Sequence, residues 1–393
     1  MSTLPKGFRI GTAAAEFRRP GRDDLGLLLS DHPAVAAGVF TANAFKAAPV
    51  LVCQEALARS PLVRGVVVNS GQANACTGDE GMRNCRSTLD MVAAAVRVPA
   101  EQLLPMSTGV IGAQLKMDNW ARAIPALAAS LGDGDEESFT RAMMTTDAFP
   151  KFTTRQVELK GGTVRLSGMA KGAGMICPNM ATMLSVVLCD AAVEPEAWQA
   201  LFQTAVDRTF NRVTVDGDTS TNDTVLGLAN GGSAVTATRE DMARLGQALE
   251  DVLGKLAYML VQDGEGATKV MRIAVRGAVD ADDAEKVART VGHSQLVKTA
   301  MYGRDANWGR IVAAVGRSGA RFAPEDVRVS LCGVELFRNG QPLPGNHDAT
   351  LREPLAGRDI QVDIHLGAGG GEYELLASDL SHDYVTCNAD YRT

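Results

Sequence analysis

This chain of 393 residues has few histidines and no closely paired cysteines. None of its five histidines (His32, His293, His347, His365, His382) lies within metal-pair spacing of another, and its seven cysteines form no CxxC pair. No metal site is therefore expected, and an odd number of cysteines suits a reducing compartment better than a disulfide framework. No run of about 18 apolar residues occurs, which a membrane-spanning helix requires, and no apolar leader follows Lys6 and Arg9. A cytoplasmic location is the expectation. Positive charge is also short, since the formal net charge is −7 and no basic patch stands out. That balance argues against nucleic acid or an anionic membrane as a partner.

What is present is apolar content of 46% and 40 glycines, many beside short β-branched runs. Such a length and composition predict one large and one smaller domain, with a boundary near residue 277, beside the acidic run Asp280 to Asp283. Leu62 to Val68 reads as a strand ending in a turn at Asn69-Ser70-Gly71. Val157 to Leu166 reads as a hairpin about Gly161-Gly162, and Ser185 to Leu188 as a buried strand. Apolar residues from Met242 to Met259 recur at helical intervals over Asp241 to Val261. Alternation then returns at Met271 to Val275, Val327 to Leu336 and Ile360 to Leu366. The fold class predicted is α/β, layered and partly antiparallel, because no even βαβ repeat appears.

The segment Gly168 to Leu184, GMAKGAGMICPNMATML, is the most unusual. Its glycines lack the spacing of a dinucleotide or phosphate loop. They predict a tight connection that delivers Ala181-Thr182 to the strand at Ser185. By spacing alone, Thr182 reads either as a β-branched core or cap residue or as a nucleophile. In the second reading its hydroxyl attacks the Ala181 carbonyl, and hydrolysis of the resulting ester frees an N-terminal threonine. The α-amine of such a residue, with an ordinary pKa near 7.7 to 8.0, is matched to deprotonating its own hydroxyl. Cys177 and Cys189 flank this segment, but no histidine lies between His32 and His293, so both read as apolar fillers.

Eight segments together resemble one family along essentially the whole chain. They are NSGQANACTG (69 to 78), STGVIG (107 to 112), MTTDAFPK (144 to 151), AKGAGMICPNMATML (170 to 184), DGDTSTNDT (216 to 224), DGEGATK (263 to 269), GRDANWGR (303 to 310) and NADYRT (388 to 393). The sequence is similar in these to the bifunctional ornithine acetyltransferase / glutamate N-acetyltransferase family, the ArgJ family of arginine biosynthesis. The resemblance implies a two-sheet α/β core flanked by helices, similar in outline to N-terminal-nucleophile hydrolases but differently connected, with a smaller α/β domain following. It also implies cleavage between Ala181 and Thr182, with the two pieces remaining folded together as a heterotetramer of two alpha and two beta chains.

The same resemblance implies the roles of individual residues. Thr182 is the nucleophile, and Thr108 with the Gly109 N–H forms the oxyanion hole. Thr145, Lys171, Thr182, Glu265, Asn388 and Thr393 contact substrate. Without the resemblance these positions read more plainly: Ser107-Thr108-Gly109 as a solvent-side turn, Lys171 as a surface lysine, Thr145 as a turn residue beside Asp147, and Glu265 as an exposed loop carboxylate. As a site residue, Lys171 would pair with a substrate carboxylate and disfavour protonation of the Thr182 amine. Glu265 would face the ammonium end of ornithine, and the tail carrying Asn388 and Thr393 would close over the pocket. The polar segment Asp216 to Thr224 does not follow the calcium-loop pattern and reads as a structural turn supporting the site rather than as a catalytic element.

The expected reaction moves acetyl from N-acetylornithine to glutamate through acetyl-Thr182, releasing ornithine and N-acetylglutamate without a cofactor. Three alternatives stay open on sequence: acceptance of acetyl-CoA as a second donor, an amidase or aminopeptidase that passes the acyl group to water, and a binding protein that has lost its chemistry. The segments GTAAAEFRRPGRDD (11 to 24) and GGGEYELLASDL (369 to 380) depart from the family pattern, which leaves acceptor preference less constrained than the acyl transfer.

Overall fold

The computed structural model describes residues 4–18, 20–177 and 183–390. Thr182, Ala181 and Thr393 lie outside the described residues. The described residues divide into two units: one holds the chain up to Asn211 together with Asp218–Leu260, the other Arg212–Gly217 and the chain from Val261 to Asp390.

The first unit is built on an eight-stranded mixed sheet. Its strands are β1 (Phe8–Ala13), β2 (Leu25–Phe40), β3 (Leu62–Gln72), β4 (Leu103–Val110), β5 (Lys151–Leu159), β6 (Gly162–Lys171), β7 (Leu184–Cys189) and β9 (Thr224–Ala229). The order is β4-β3-β2-β9-β7-β6-β5, with β1 paired to the first half of β2. The pairs β3/β4 and β7/β9 are parallel and the rest antiparallel. Both faces of this sheet are covered at its centre, where β7 and β9 are buried at every residue. Leu25, Leu27, Leu29, Val67 and Leu103 pack with helices Gly78–Val96 and Met117–Ala129. Their neighbours one residue along, Leu28, Val66, Val68 and Leu104, join Phe139, Met169, Val186 and Leu226 in a separate core. Each such valine or leucine buried contributes about 1.5–3 kcal/mol.

Glycine lets the helix Met242–Gln262 approach this sheet closely: a Cβ on Gly168 of β6 would stand 2.5 Å from Val252 Cγ1. Gly168 to Lys171 thus end a strand, and only the glycines from Gly172 onward belong to the connection expected there. The hairpin forms as the glycines predict, with Leu159 opposite Gly162 and only Lys160 and Gly161 between them. Asn69-Ser70-Gly71, expected as a turn, instead continue β3 beside Ser107-Thr108-Gly109 of β4.

The second unit has its own seven-stranded mixed sheet, in the order β13-β12-β11-β14-β10-β15-β8. These strands are β8 (Val213–Thr214), β10 (Val270–Ala278), β11 (Arg328–Leu331), β12 (Val334–Arg338), β13 (Gln341–Pro342), β14 (Asp359–His365) and β15 (Gly371–Ser378). Its core joins Ile273, Val275, Val329, Val362 and Leu375 to Val287 and Val291 of helix Ala281–Gly292. The boundary is expected within about fifteen residues of 277; position 277 itself lies inside β10, whose partners β14 and β15 both belong to this unit, and the unit's main stretch starts at Val261. Asp280 is not in a linker either, because its side chain accepts the Asp283 N–H as the cap of that helix. The α/β class and the two mixed sheets flanked by helices agree with the sequence reading, with one sheet in each unit.

Among the described residues no helix is long and apolar enough to cross a membrane.

Candidate active site

In the first unit, Thr108 and Gly109 lie in β4, opposite Ser70 and Gly71 of the parallel neighbour β3. Gly109 has φ +129°, and a Cβ there would stand 2.2 Å from the Gly71 carbonyl carbon. Glycine is therefore required twice over, by its dihedral and by the adjacent strand. Ser107 Oγ donates to Asn69 Oδ1 at 2.7 Å, fixing the residue before Thr108 from the side. A solvent-side turn is ruled out here, since Thr108 is 6% exposed.

Lys171, at the end of β6, is 3% exposed, so it is no surface lysine. Its Nζ donates to Thr108 Oγ1 at 3.1 Å. Burying an ammonium demands compensation, and a nearby carboxylate supplies charge of the opposite sign. Asp147 Oδ1 accepts Gly172 N–H at 2.6 Å and Lys151 Nζ at 2.7 Å, while its Oδ2 accepts Thr145 N–H at 3.0 Å. The side chains of Asp147 and Lys151 are both 0% exposed. Burial by itself would push the Asp147 acid up, but the ammonium groups of Lys151 and Lys171 and these hydrogen bonds hold it well below the usual carboxylate range. One carboxylate thereby ties the Thr145 turn to the residue after Lys171.

The connection preceding β7 is flanked by Cys177 and Met183, both buried. Met183 N–H donates to Asp223 Oδ1 at 2.9 Å. Asp223 is 1% exposed, and burial raises its acid well above the carboxylate range despite the Met183 hydrogen bond, the charge of Lys171 and the nearby Thr41 hydroxyl. Thr41 Oγ1 donates instead to Ser220 O. Cys189 is a core thiol, pushed up to about 12 by burial.

In the second unit, Glu265 sits in the turn after helix Met242–Gln262, half-buried. Its Oε2 accepts from Asn388 Nδ2 at 2.8 Å, so the C-terminal helix His382–Asp390 is fastened to that turn. Ser381 Oγ adds a second tie to Gly266 O at 2.6 Å. Glycine is needed at 266, because φ is +67° and a Cβ would stand 2.4 Å from Tyr384 N.

Thr108, Gly109, Lys171 and Thr145 are thus linked through hydrogen bonds in one unit, and Glu265 with Asn388 in the other. Asp147, Lys151, Asn222 and Asp223 were not singled out by sequence. The signal for the first pair was the acid and lysine in MTTDAFPK, spaced i, i+4. Nothing local in DGDTSTNDT distinguishes its third aspartate. Among the described residues no group of three or more His, Cys, Asp or Glu is placed to hold a metal.

The ArgJ family profile matches residues 9–393. The chain is 72% identical over 393 residues to the arginine biosynthesis bifunctional protein ArgJ of Nitratidesulfovibrio vulgaris, covering all of both chains. It is 44% identical over 408 residues to the protein of the same name from Thermosynechococcus vestitus, covering all of this chain and 97% of that one. Among solved structures, the ArgJ protein from Bacillus halodurans is 36% identical with a TM-score of 0.49, covering 51% of this chain and 96% of that one.

Proposed function

Because the chain belongs to the ArgJ family, we propose that it is a self-processing acyltransferase that cuts itself before Thr182 and carries acetyl from N-acetylornithine to glutamate on that threonine. The single observation that carries the reading is the bond from Lys171 to Thr108. An ammonium donates and cannot accept, so Thr108 oxygen accepts and its hydroxyl hydrogen stays available for another oxygen. A donor held in that state, beside the Gly109 N–H in a dry interior, suits an oxyanion that forms only in the transition state.

In this mechanism the Thr182 amine takes the proton of its own hydroxyl, and the oxygen attacks the acetyl carbonyl. Thr108 and Gly109 stabilise the tetrahedral oxyanion. Ornithine departs with the proton, glutamate attacks the acetyl ester, and N-acetylglutamate leaves. The acetyl ester keeps its transfer potential between the two half-reactions, so the kinetics are ping-pong and no cofactor is needed. Thr145, Lys171, Glu265, Asn388 and Thr393 supply the substrate's polar shell, Glu265 toward the ammonium end of ornithine. The Glu265–Asn388 hydrogen bond supports a tail that is tied down rather than frayed. The mature enzyme is expected as two alpha and two beta chains, residues 1–181 and 182–393, in the cytoplasm.

The relatives are named bifunctional, which favours a second reading: glutamate is also acetylated from acetyl-CoA. Supplying acetyl-CoA and glutamate without N-acetylornithine separates the two. The primary test is mass analysis of the purified protein and of a Thr182→Ala variant. The reading expects two chains with a new N-terminus at Thr182, an acetylated Thr182 peptide after exposure to N-acetylornithine, and an uncut, inactive variant. Full turnover by an uncut chain overturns it.

A further inference from the structure

The segment Asp216 to Thr224, read from sequence as a turn supporting the site, contacts Ile176 and Cys177 on one side of residues 178–182 and Met183 on the other. Thr219 forms an isolated antiparallel bridge with Ile176, and its Oγ1 donates to Cys177 O at 3.1 Å. Four residues on, Asp223 Oδ1 accepts Met183 N–H at 2.9 Å, and Thr224 N–H reaches Met183 O at 3.1 Å. Between these two anchors, Asn222 Nδ2 donates to Ser107 O at 2.8 Å and to Ala73 O at 2.6 Å. Ser107 O belongs to the peptide group that enters Thr108. Six consecutive residues therefore touch the chain before the proposed cut, the chain after it and the strand that carries the oxyanion donors.

We infer that Thr219–Thr224 is a positioning frame for self-cleavage and acetyl transfer, fixing both flanks of the 178–182 segment at a set reach from Thr108 and Gly109; this rests on the catalytic roles proposed above. A buried loop must satisfy its polar groups in any case, but ordinary satisfaction would not call for Asp223. A carboxyl group is costly in the interior, and here Oδ1 accepts the Met183 N–H while Oδ2 has no hydrogen-bond partner within 3.5 Å among the described residues. Burial disfavours the charged form of this acid, and the contact it makes with the Met183 N–H needs only an acceptor oxygen. Its Oδ1 accepts from the Met183 peptide nitrogen, so an asparagine, equal in shape and able to accept at Oδ1, can take its place. Thr219 holds the other flank through one hydroxyl, which serine keeps and valine lacks.

The experiment compares full-length Thr219→Val, Thr219→Ser, Asp223→Ala and Asp223→Asn with the parent chain. Fragment appearance is followed on denaturing gels, kcat and KM are measured on the cut fraction, and thermal unfolding reports folding. The expected result is that Thr219→Val and Asp223→Ala slow cutting by at least about tenfold, and lower kcat with KM little changed, since misplacing reacting groups costs rate rather than affinity. Thr219→Ser and Asp223→Asn should restore both to within about threefold, the mark of geometry rather than charge. Parent-like cutting in Thr219→Val and Asp223→Ala overturns the inference, as does failure of Asp223→Asn to rescue. Should Asp223→Ala not fold, Thr219→Val, at a half-buried position, decides the matter. Thr182→Ala run in parallel separates the two layers: if it still cuts, the catalytic reading falls; if it does not cut while the frame variants cut normally, only the frame falls.

Discussion

Lys171 Nζ donates to Thr108 Oγ1 across 3.1 Å, with both side chains buried. The direction of that bond leaves one donor, the threonine hydroxyl, polarised by a cation and free to serve an oxygen that turns negative. Thr108→Val removes the hydroxyl and keeps the shape. Loss of one oxyanion donor costs roughly 3 kcal/mol of transition-state stabilisation, so kcat should fall about a hundredfold in cut enzyme with KM nearly unchanged. Steady-state kinetics check this, and a change confined to KM would move Thr108 from the oxyanion to ground-state binding.

Asp147 and Lys151 form an ion pair with no side-chain surface exposed, and removing one partner takes from the other its hydrogen-bonded counter-charge in the interior. Asp147→Asn and Lys151→Met should each cost about 3–5 kcal/mol, and the double variant less than the sum. The pH dependence follows from the depressed Asp147 acid. Its stabilisation is present above the ordinary carboxylate value and is lost as pH falls toward the lower folded value. Between about pH 5 and pH 2 the parent should lose this advantage over the double variant. Urea unfolding at a series of pH values measures the gap, and a gap that widens on acidification contradicts the assignment.

Gly109 and Gly112 stand three residues apart, both with positive φ, yet their surroundings differ. A Cβ on Gly109 would meet the backbone of β3, whereas one on Gly112 would meet nothing within 4 Å. Gly112→Ala should cost only dihedral strain, about 1–2 kcal/mol, with transfer retained. Gly109→Ala should separate β4 from β3, lower the melting temperature further and reduce transfer at least about a hundredfold. Melting curves and transfer assays on the pair decide it, and equal behaviour would sink the close-approach argument.

Local features were legible in the sequence. The glycine pair at 161 and 162 turns a hairpin, and the apolar stripe from Leu245 to Leu256 faces a core. Features set by distant partners were not. Lys171 reads as a surface residue until Thr108 accepts from it and the Asp147 carboxylate supplies opposite charge, and Asn222 contacts Ser107 across 115 positions. The start of the second unit's main stretch at Val261 is set by β10, which belongs to the second sheet through β14 and β15, strands more than 80 residues later in the chain. The short β8 enters the same sheet by parallel pairing with β15, which no local pattern announces.

The strand order of the first unit bears on how the mature protein can be made. A break after residue 181 assigns β1 to β6 to one piece and β7 and β9 to the other, yet β9 and β7 lie side by side between β2 and β6. The earlier piece alone would have a gap two strands wide in its sheet. Folding must then come first and scission second, and once both chains are denatured, recovery becomes a meeting of two molecules whose yield depends on concentration. The intact precursor faces no such requirement within this sheet.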